Sequence, residues 1–166
     1  MKAAINTSPL IFLSKLEMLD CLRLYEKIYT TQIVLNEIGK GMEKGYQEAL
    51  SVKKLVDEGF IIVKEFKEKK EVFGLHPGEL TVIEMAKEMK IKELLIDDRS
   101  GIKVAKYFGL KVVSTPYLLL KNLKKGNIEL DDFKEAMDRL IGFGYFISPN
   151  LYVEILKKAK ELGDRS

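Results

Sequence analysis

Short apolar runs that alternate with helical segments constrain this chain more than any other feature. Five such runs have the length and apolar character of strands, and the segments between them repeat apolar residues at helical spacing. Strands that alternate with helices predict βαβ units, and hence a short, mostly parallel sheet covered on both faces by helices in a three-layer α/β/α arrangement. The predicted strands span residues 3–5, 27–30, 60–63, 93–98 and 110–113.

The C-terminal part of the chain lacks the strand pattern, because its last ~45 residues contain only helical patterns. The predicted helices there span residues 117–124, 131–140 and 149–162. A chain of 166 residues is most simply one domain. The helical tail is then either a cap on the core or an arm for a partner, and the pattern leaves that choice open.

Two local signals predict helix ends. Ser8 followed by Pro9 predicts a helix start, with a hydroxyl N-cap and proline at the first helical position. The helix that opens after the second strand is predicted to stop near Gly39 and Gly41.

Composition excludes several kinds of chemistry. With one cysteine, Cys21, and one histidine, His76, the chain has no internal disulfide and no cysteine-based zinc site, and a Ser-His-Asp triad is disfavoured. Carboxylates and oxygen-binding metals are therefore the expected chemistry. A net charge of +3 permits nucleic-acid binding without demanding it. No apolar run is long enough for a membrane span, and the N-terminus does not resemble a secretion signal, so we expect a cytoplasmic protein without a membrane partner.

Acidic and amide side chains occur where a parallel sheet binds ligands, outside the carboxyl ends of its strands. Asn6 follows the first strand, and Asp97 and Asp98 close the strand at 93–98. Glu79 lies in the first turn of the helix before that strand, and Glu37 lies in the helix after the second strand. Carboxylates that converge are stable together when they are protonated or bridged by a cation. Oxygen donors of this kind suit Mg²⁺ or Mn²⁺.

Each acid also has an ordinary structural interpretation. Glu79 could serve the dipole at the start of its helix, and Glu37 could be a surface residue. One residue of the Asp97-Asp98 pair could cap the following helix. The spacing alone does not decide between these interpretations and a metal site.

Four motifs, taken in order, resemble a PIN domain, and most closely the prokaryotic branch related to VapC-type toxins. The motifs are I-N-T-S-P-L-I at 5–11, L-N-E-I at 35–38, G-E at 78–79 followed by I-E-M-A at 83–86, and L-L-I-D-D-R at 94–99. The resemblance covers about residues 1–126, which leaves about 127–166 as a helical C-terminal extension of a single domain. It implies a Mg²⁺- or Mn²⁺-dependent endoribonuclease, in which acidic residues hold a metal that activates water on an RNA phosphodiester.

The resemblance assigns roles position by position. Glu37 matches the second acid of the family, Glu79 the third and Asp98 the fourth. Asp97 either joins the site or pairs with Arg99. Thr7 and Ser8 match small hydroxyl residues beside the first acid, and both are assigned to substrate binding. The predicted catalytic residues are Glu37, Glu79, Asp97 and Asp98, and the predicted metal-binding residues are these four with Asn6.

Asn6 departs from the family, which has aspartate there. Asparagine keeps an oxygen that can coordinate a metal, but it carries no charge and cannot act as a base. The alternative function is therefore a weakened PIN-like domain that binds RNA or a protein.

The remaining predictions concern partners. Arg99 and Lys103 are assigned to substrate phosphate, although Arg99 could equally pair with a nearby Asp, and Lys103 suits a solvated helix face. Tyr107, Phe108 and Tyr117 fall at apolar positions, which favours core packing over base stacking. The resemblance adds RNA as substrate, a toxin role with an antitoxin peptide as partner, and a homodimer.

Overall fold

The computed structural model, which describes residues 1–43, 47–67 and 74–165, has a central sheet of five parallel strands. Their order across the sheet is β3-β2-β1-β4-β5, and helices flank the sheet on both sides. The predicted α/β/α class is confirmed. The strands are β1 (Lys2–Ile5), β2 (Lys27–Thr31), β3 (Ile61–Lys64), β4 (Glu93–Leu95) and β5 (Lys111–Val113).

The strand order creates a crevice at the carboxyl edge of the sheet. From β1 the sheet extends through β2 and β3 on one side and through β4 and β5 on the other, so the connections leaving β1 and β4 diverge. The Asn6 N–H donates to the Leu95 carbonyl at 3.0 Å, which continues the pairing of β1 with β4 beyond the strand ends. The segments that carry Asn6 and Asp97-Asp98 therefore lie side by side.

Helices and one 3-10 helix connect the strands. None of the described helices is long and apolar enough to cross a membrane. In chain order they are α1 (Thr7–Lys15), the 3-10 helix (Leu19–Leu24), α2 (Gln32–Glu43), α3 (Glu48–Asp57), α4 (Pro77–Glu88), α5 (Arg99–Tyr107), α6 (Thr115–Lys125), α7 (Leu130–Gly142) and α8 (Pro149–Gly163).

Both predicted helix ends are wrong. The N-cap of α1 is Asn6 rather than Ser8, so Pro9 is the third helical residue. Pro9 is tolerated there because the first N–H groups of a helix have no partner within the helix. Helix α2 continues through Gly39 and Gly41 to Glu43. Glycine weakens a helix interior without ending it, since it can adopt helical dihedral angles.

The C-terminal helices share the core of the sheet. Phe133, Met137 and Leu140 of α7 are fully buried and belong to the same apolar cluster as the strand residues Ile5 and Leu94. Helix α8 packs against α6 and α7. The Arg139 guanidinium also donates to the last carbonyls of α1, Lys15 O at 3.1 Å and Leu16 O at 3.3 Å. The extension is thus packed against the sheet domain along its described length.

A buried acid, Glu93, begins β4 at the amino edge of the sheet. It accepts hydrogen bonds from Tyr25 Oη at 2.7 Å and Lys121 Nζ at 2.8 Å, and it forms an ion pair with Lys111 Nζ at 3.0 Å. Burial alone would raise the pKa of Glu93, but these three donors outweigh it and lower the pKa to about 2. Glu93 is therefore a fully partnered structural carboxylate.

Candidate functional site

Asn6 places a polar side chain in the crevice between β1 and β4. It occupies the N-cap of α1, where asparagine ordinarily accepts a hydrogen bond from the helix backbone, yet its side chain makes no capping bond. Asn6 is 3% exposed. Its Oδ1 is the buried side-chain polar atom of the described residues that has no hydrogen-bond partner. Such an acceptor calls for a donor or a cation beyond the protein's own groups.

Glu37 reaches the same edge of the sheet from α2. Its Oε2 accepts a hydrogen bond from Thr7 Oγ1, in the first turn of α1. Its carboxylate also lies against Gly78, in the first turn of α4, where an added Cβ would be 2.9 Å from Glu37 Cδ. Gly78 is therefore required for close approach, and the positive end of the α4 dipole favours the Glu37 charge.

Glu79 and Asp98 bring two carboxyl groups into contact. Glu79 lies in the first turn of α4 and is 8% exposed, and its Oε2 accepts from the His76 N–H at 3.2 Å. The pKa of Glu79 is raised, first by burial and then by the charge of Asp98. The Glu79 carboxyl group lies beside the first turn of α5, where its Cδ is at van der Waals distance, 3.8 Å, from the Cβ position of Gly101. Glycine is required at 101 by Ile96, whose Cδ1 would clash with that Cβ.

Asp98 is also the N-cap of α5. Its Oδ2 accepts from the N–H groups of Ser100 at 3.0 Å and Gly101 at 3.2 Å. The cap interpretation and the acid-pair interpretation therefore both apply to this residue. An aspartate with two oxygens can cap a helix and still face a second carboxyl group.

Asp97 has different partners. Its Oδ1 accepts from the Thr115 N–H at 2.8 Å and from Tyr145 Oη at 2.7 Å, and its Oδ2 accepts from Thr115 Oγ1 at 2.7 Å. Burial raises the pKa of Asp97, and the bonds from Thr115 and Tyr145 oppose that rise. Asp97 thus ties β4 to the start of α6 and to the α7–α8 connection, and it neither pairs with Arg99 nor joins Glu79 and Asp98 in a cluster of three.

The donors in this crevice fit a hard divalent cation in kind. They are an unpartnered amide oxygen and two carboxyl groups in contact, with no nitrogen or sulfur donor among them. Within residues 1–43, 47–67 and 74–165, however, no three His, Cys, Asp or Glu side chains are close enough to hold a metal ion together. Glu37 is hydrogen-bonded to Thr7, and Asp97 to Thr115 and Tyr145, and the metal-binding and catalytic roles of both stay predictions.

The predicted substrate-binding residues occupy the start of two helices. Thr7 and Ser8 are half-buried in the first turn of α1. Arg99 begins α5, and its guanidinium lies 5.0 Å from the centre of the Phe146 ring. Lys103 is exposed one turn further along α5. The core assignment of two aromatic residues is wrong, because Tyr107 is 82% and Tyr117 43% exposed.

Sequence reasoning missed residues that shape this site. Gly78 permits the close approach of Glu37 and Gly101 the close packing of Ile96, and a glycine in the first turn of a helix is the signal that could have found them. Tyr145 lies between helices in a segment without periodic pattern, so nothing local linked it to Asp97. Gly78 and Tyr145 share one property, since each acts through a contact distant in sequence.

Fold and site together define a class of protein: a parallel α/β domain with acids at the carboxyl edge of its sheet. A family model described as a PIN domain matches residues 2–161, and the chain belongs to that family. A solved structure of a PilT N-terminus domain protein from the hyperthermophilic archaeon Sulfolobus solfataricus P2 is similar, with 25% identity and a TM-score of 0.53 over 74% of this chain and 94% of that one. The curated proteins contain no match.

Proposed function

We propose that this PIN domain is a divalent-metal-dependent endoribonuclease. The observation that carries the proposal is that the Glu79 carboxyl group lies beside the first turn of α5, whose N-cap is Asp98, at the switch point of the sheet. Two carboxylates held in contact repel each other when both are ionised, so the arrangement is stable with a proton or a cation between them. The buried, unpartnered Oδ1 of Asn6 supports the cation as the intended occupant.

The residues have separate roles in this proposal. Asn6, Glu79 and Asp98 would hold Mg²⁺ or Mn²⁺, which when bound neutralises phosphodiester charge and activates water. Thr7 donates a hydrogen bond to the Glu37 carboxylate and so holds it against the first turn of α4, at the edge of the crevice. Asp97 fixes the connection to α6 and thereby the position of its neighbour Asp98.

The test is cleavage of a labelled single-stranded RNA with Mn²⁺ or Mg²⁺. Asp98→Asn removes charge but keeps an oxygen that can accept from Ser100 and Gly101, so the α5 cap survives. We expect the wild type to cut, EDTA to stop it, and Asp98→Asn and Glu79→Gln each to lower the rate by about 100-fold or more. A wild type that never cuts, or a variant that cuts as fast as wild type, would contradict the proposal.

Glu88→Gln is the matched control for Glu79→Gln. Glu88 is an exposed acid at the other end of the same helix, α4. The substitution removes the same charge from the same element without touching the crevice. Cleavage by Glu88→Gln should equal that of the wild type within about twofold, since an isolated surface charge contributes little.

Asn6 favours a second candidate function, a weakened PIN-like domain that binds RNA or a protein without cutting. An amide supplies an oxygen but no charge, and charge contributes to cation affinity at such sites. Asn6→Asp separates the two functions. Faster cleavage by Asn6→Asp than by the wild type means that Asn6 limits the rate of a working nuclease. If neither protein cuts RNA but both bind it, the binding module is favoured.

Further family properties are proposals for this chain as well: one domain with a core of about 1–126 and an extension of about 127–166, a cytoplasmic location, a homodimer, and a toxin role with an antitoxin partner. Induced expression in a bacterial host tests the toxin role. Growth arrest by the wild type that Asp98→Asn relieves would support it, and unaffected growth would contradict it.

A further inference from the structure

A groove opens beyond the carboxyl end of β4, between α5, the start of α6 and the segment that joins α7 to α8. Its volume is about 320 Å³, which is within the size range of small-molecule sites. Arg99 and Lys106 contribute from α5, Tyr117 from α6, and Phe146 and Leu151 from the extension. The helical extension therefore completes a binding surface that the sheet domain would not form alone.

Two exposed aromatic rings and two cations stand among the aliphatic side chains that line this groove. Phe146 is 76% exposed and Tyr117 43% exposed, although large apolar side chains ordinarily bury much of their surface. The Arg99 guanidinium lies 5.0 Å from the Phe146 ring centre. The one acid among the described lining residues, Asp97, already accepts three hydrogen bonds from Thr115 and Tyr145. The charge that the groove offers to a ligand is therefore positive, from Arg99 and Lys106, and it stands beside two exposed rings.

The groove and the acid pair are joined through the chain at the end of β4. Asp97 and Arg99 line the groove, and Asp98 between them belongs to the acid pair. Tyr145 bonds Asp97 at 2.7 Å and precedes Phe146 directly, so the ring is fixed relative to the same end of β4.

We propose that this groove binds an unstacked base of single-stranded RNA, by stacking on Phe146 and Tyr117, with Arg99 and Lys106 on the adjoining phosphates. This inference rests on the proposed function, because it takes RNA as the molecule that the domain binds and cuts. Exposed aromatic rings interleaved with Arg and Lys are the usual surface for single-stranded nucleic acid. Duplex RNA keeps its bases stacked inside the helix and would not fill the groove.

Binding is measured without catalysis, by fluorescence anisotropy of a labelled single-stranded RNA in EDTA at low salt. Base–aromatic stacking predicts that Phe146→Ala weakens binding about 10- to 100-fold, and that Phe146→Trp binds within about threefold of wild type. Phe146→Ala should also lose the preference for single-stranded over duplex RNA. Tyr107→Ala is the matched control, since Tyr107 is an exposed aromatic residue of α5 outside the lining of the groove, and its binding should be unchanged.

The outcomes separate this inference from the nuclease proposal. If the wild type binds RNA through Phe146 but never cuts it, the base-binding groove stands and the nuclease proposal fails. If the wild type cuts RNA and Phe146→Ala binds and cuts equally well, the base-binding groove is refuted and the nuclease proposal stands. No binding of RNA by the wild type, as expected if the groove accepts an apolar peptide instead, also overturns the inference.

Discussion

The two ends of β4 hold acids in opposite circumstances. At the amino end, Glu93 has Tyr25, Lys111 and Lys121 as partners, and its pKa is lowered to about 2. At the carboxyl end, Glu79 meets another carboxyl group, that of Asp98, and its pKa is raised. Where a buried acid serves the fold, the chain supplies donors and cations. Where the chain leaves acids facing each other, the missing charge is expected to come from outside it.

The largest expected effect on the free energy of unfolding comes from Glu93→Gln, and the smallest comes from the same substitution at Glu79. Glu93→Gln removes the charge that two lysines contact, and it should lower the free energy of unfolding by about 2 kcal/mol at neutral pH. Urea unfolding followed by circular dichroism measures this value. Unchanged stability of Glu93→Gln would remove the contrast between the two ends.

The pH dependence of stability sharpens the same contrast. Because the folded-state pKa of Glu93 lies below its ordinary value of 4.5, its contribution is complete above pH 4.5 and is lost as pH falls from there through about 2. The wild type should therefore lose more stability over this range than Glu93→Gln. Parallel curves for both proteins would argue against the lowered pKa.

Asp97 and Asp98 show the same contrast in two consecutive residues, since Asp97 has hydrogen-bond donors as partners and Asp98 faces another acid. Tyr145→Phe tests this contrast. The substitution removes one hydrogen bond to Asp97 and leaves the ring in place. We expect a loss of about 1 kcal/mol in the free energy of unfolding, since one hydrogen bond to a half-buried carboxylate is removed. RNA cleavage should be affected far less than by Asp98→Asn, and an equal loss of cleavage would place Tyr145 in the active site.

The smallest expected effect is a gain of stability. A raised folded-state pKa means that ionised Glu79 destabilises the folded protein, and that its cost disappears as pH falls through the raised value. Glu79→Gln should therefore raise the free energy of unfolding by about 0.5 kcal/mol at neutral pH in EDTA. Destabilisation by Glu79→Gln would mean that this acid serves the fold, like Glu93.

The sequence predicts the architecture because periodicity is local. Alternating strands and helices predicted the parallel sheet, and the motifs predicted the PIN family, and both predictions are confirmed. The helix start at Asn6 was missed because Ser8-Pro9 is the stronger local signal, while the position of Asn6 depends on pairing with Leu95.

The direction in which each acidic side chain points could not be predicted, because it depends on contacts between segments that are distant in the sequence. Asp97 and Asp98 are adjacent in an extended segment, so their side chains leave on opposite sides. Which one meets Glu79 depends on Thr115 and Tyr145. Glu93 was read as part of an apolar strand, since its three partners come from separate parts of the chain.

The central claim, that the acids at the carboxyl end of β4 await a cation, is tested most directly by Mn²⁺ titration in a calorimeter. The account predicts that the wild type binds Mn²⁺, that Glu79→Gln and Asp98→Asn each bind at least about tenfold more weakly, and that folded Glu93→Gln binds as the wild type does. Equal Mn²⁺ binding by Glu79→Gln and wild type, or no binding by wild type, would contradict it.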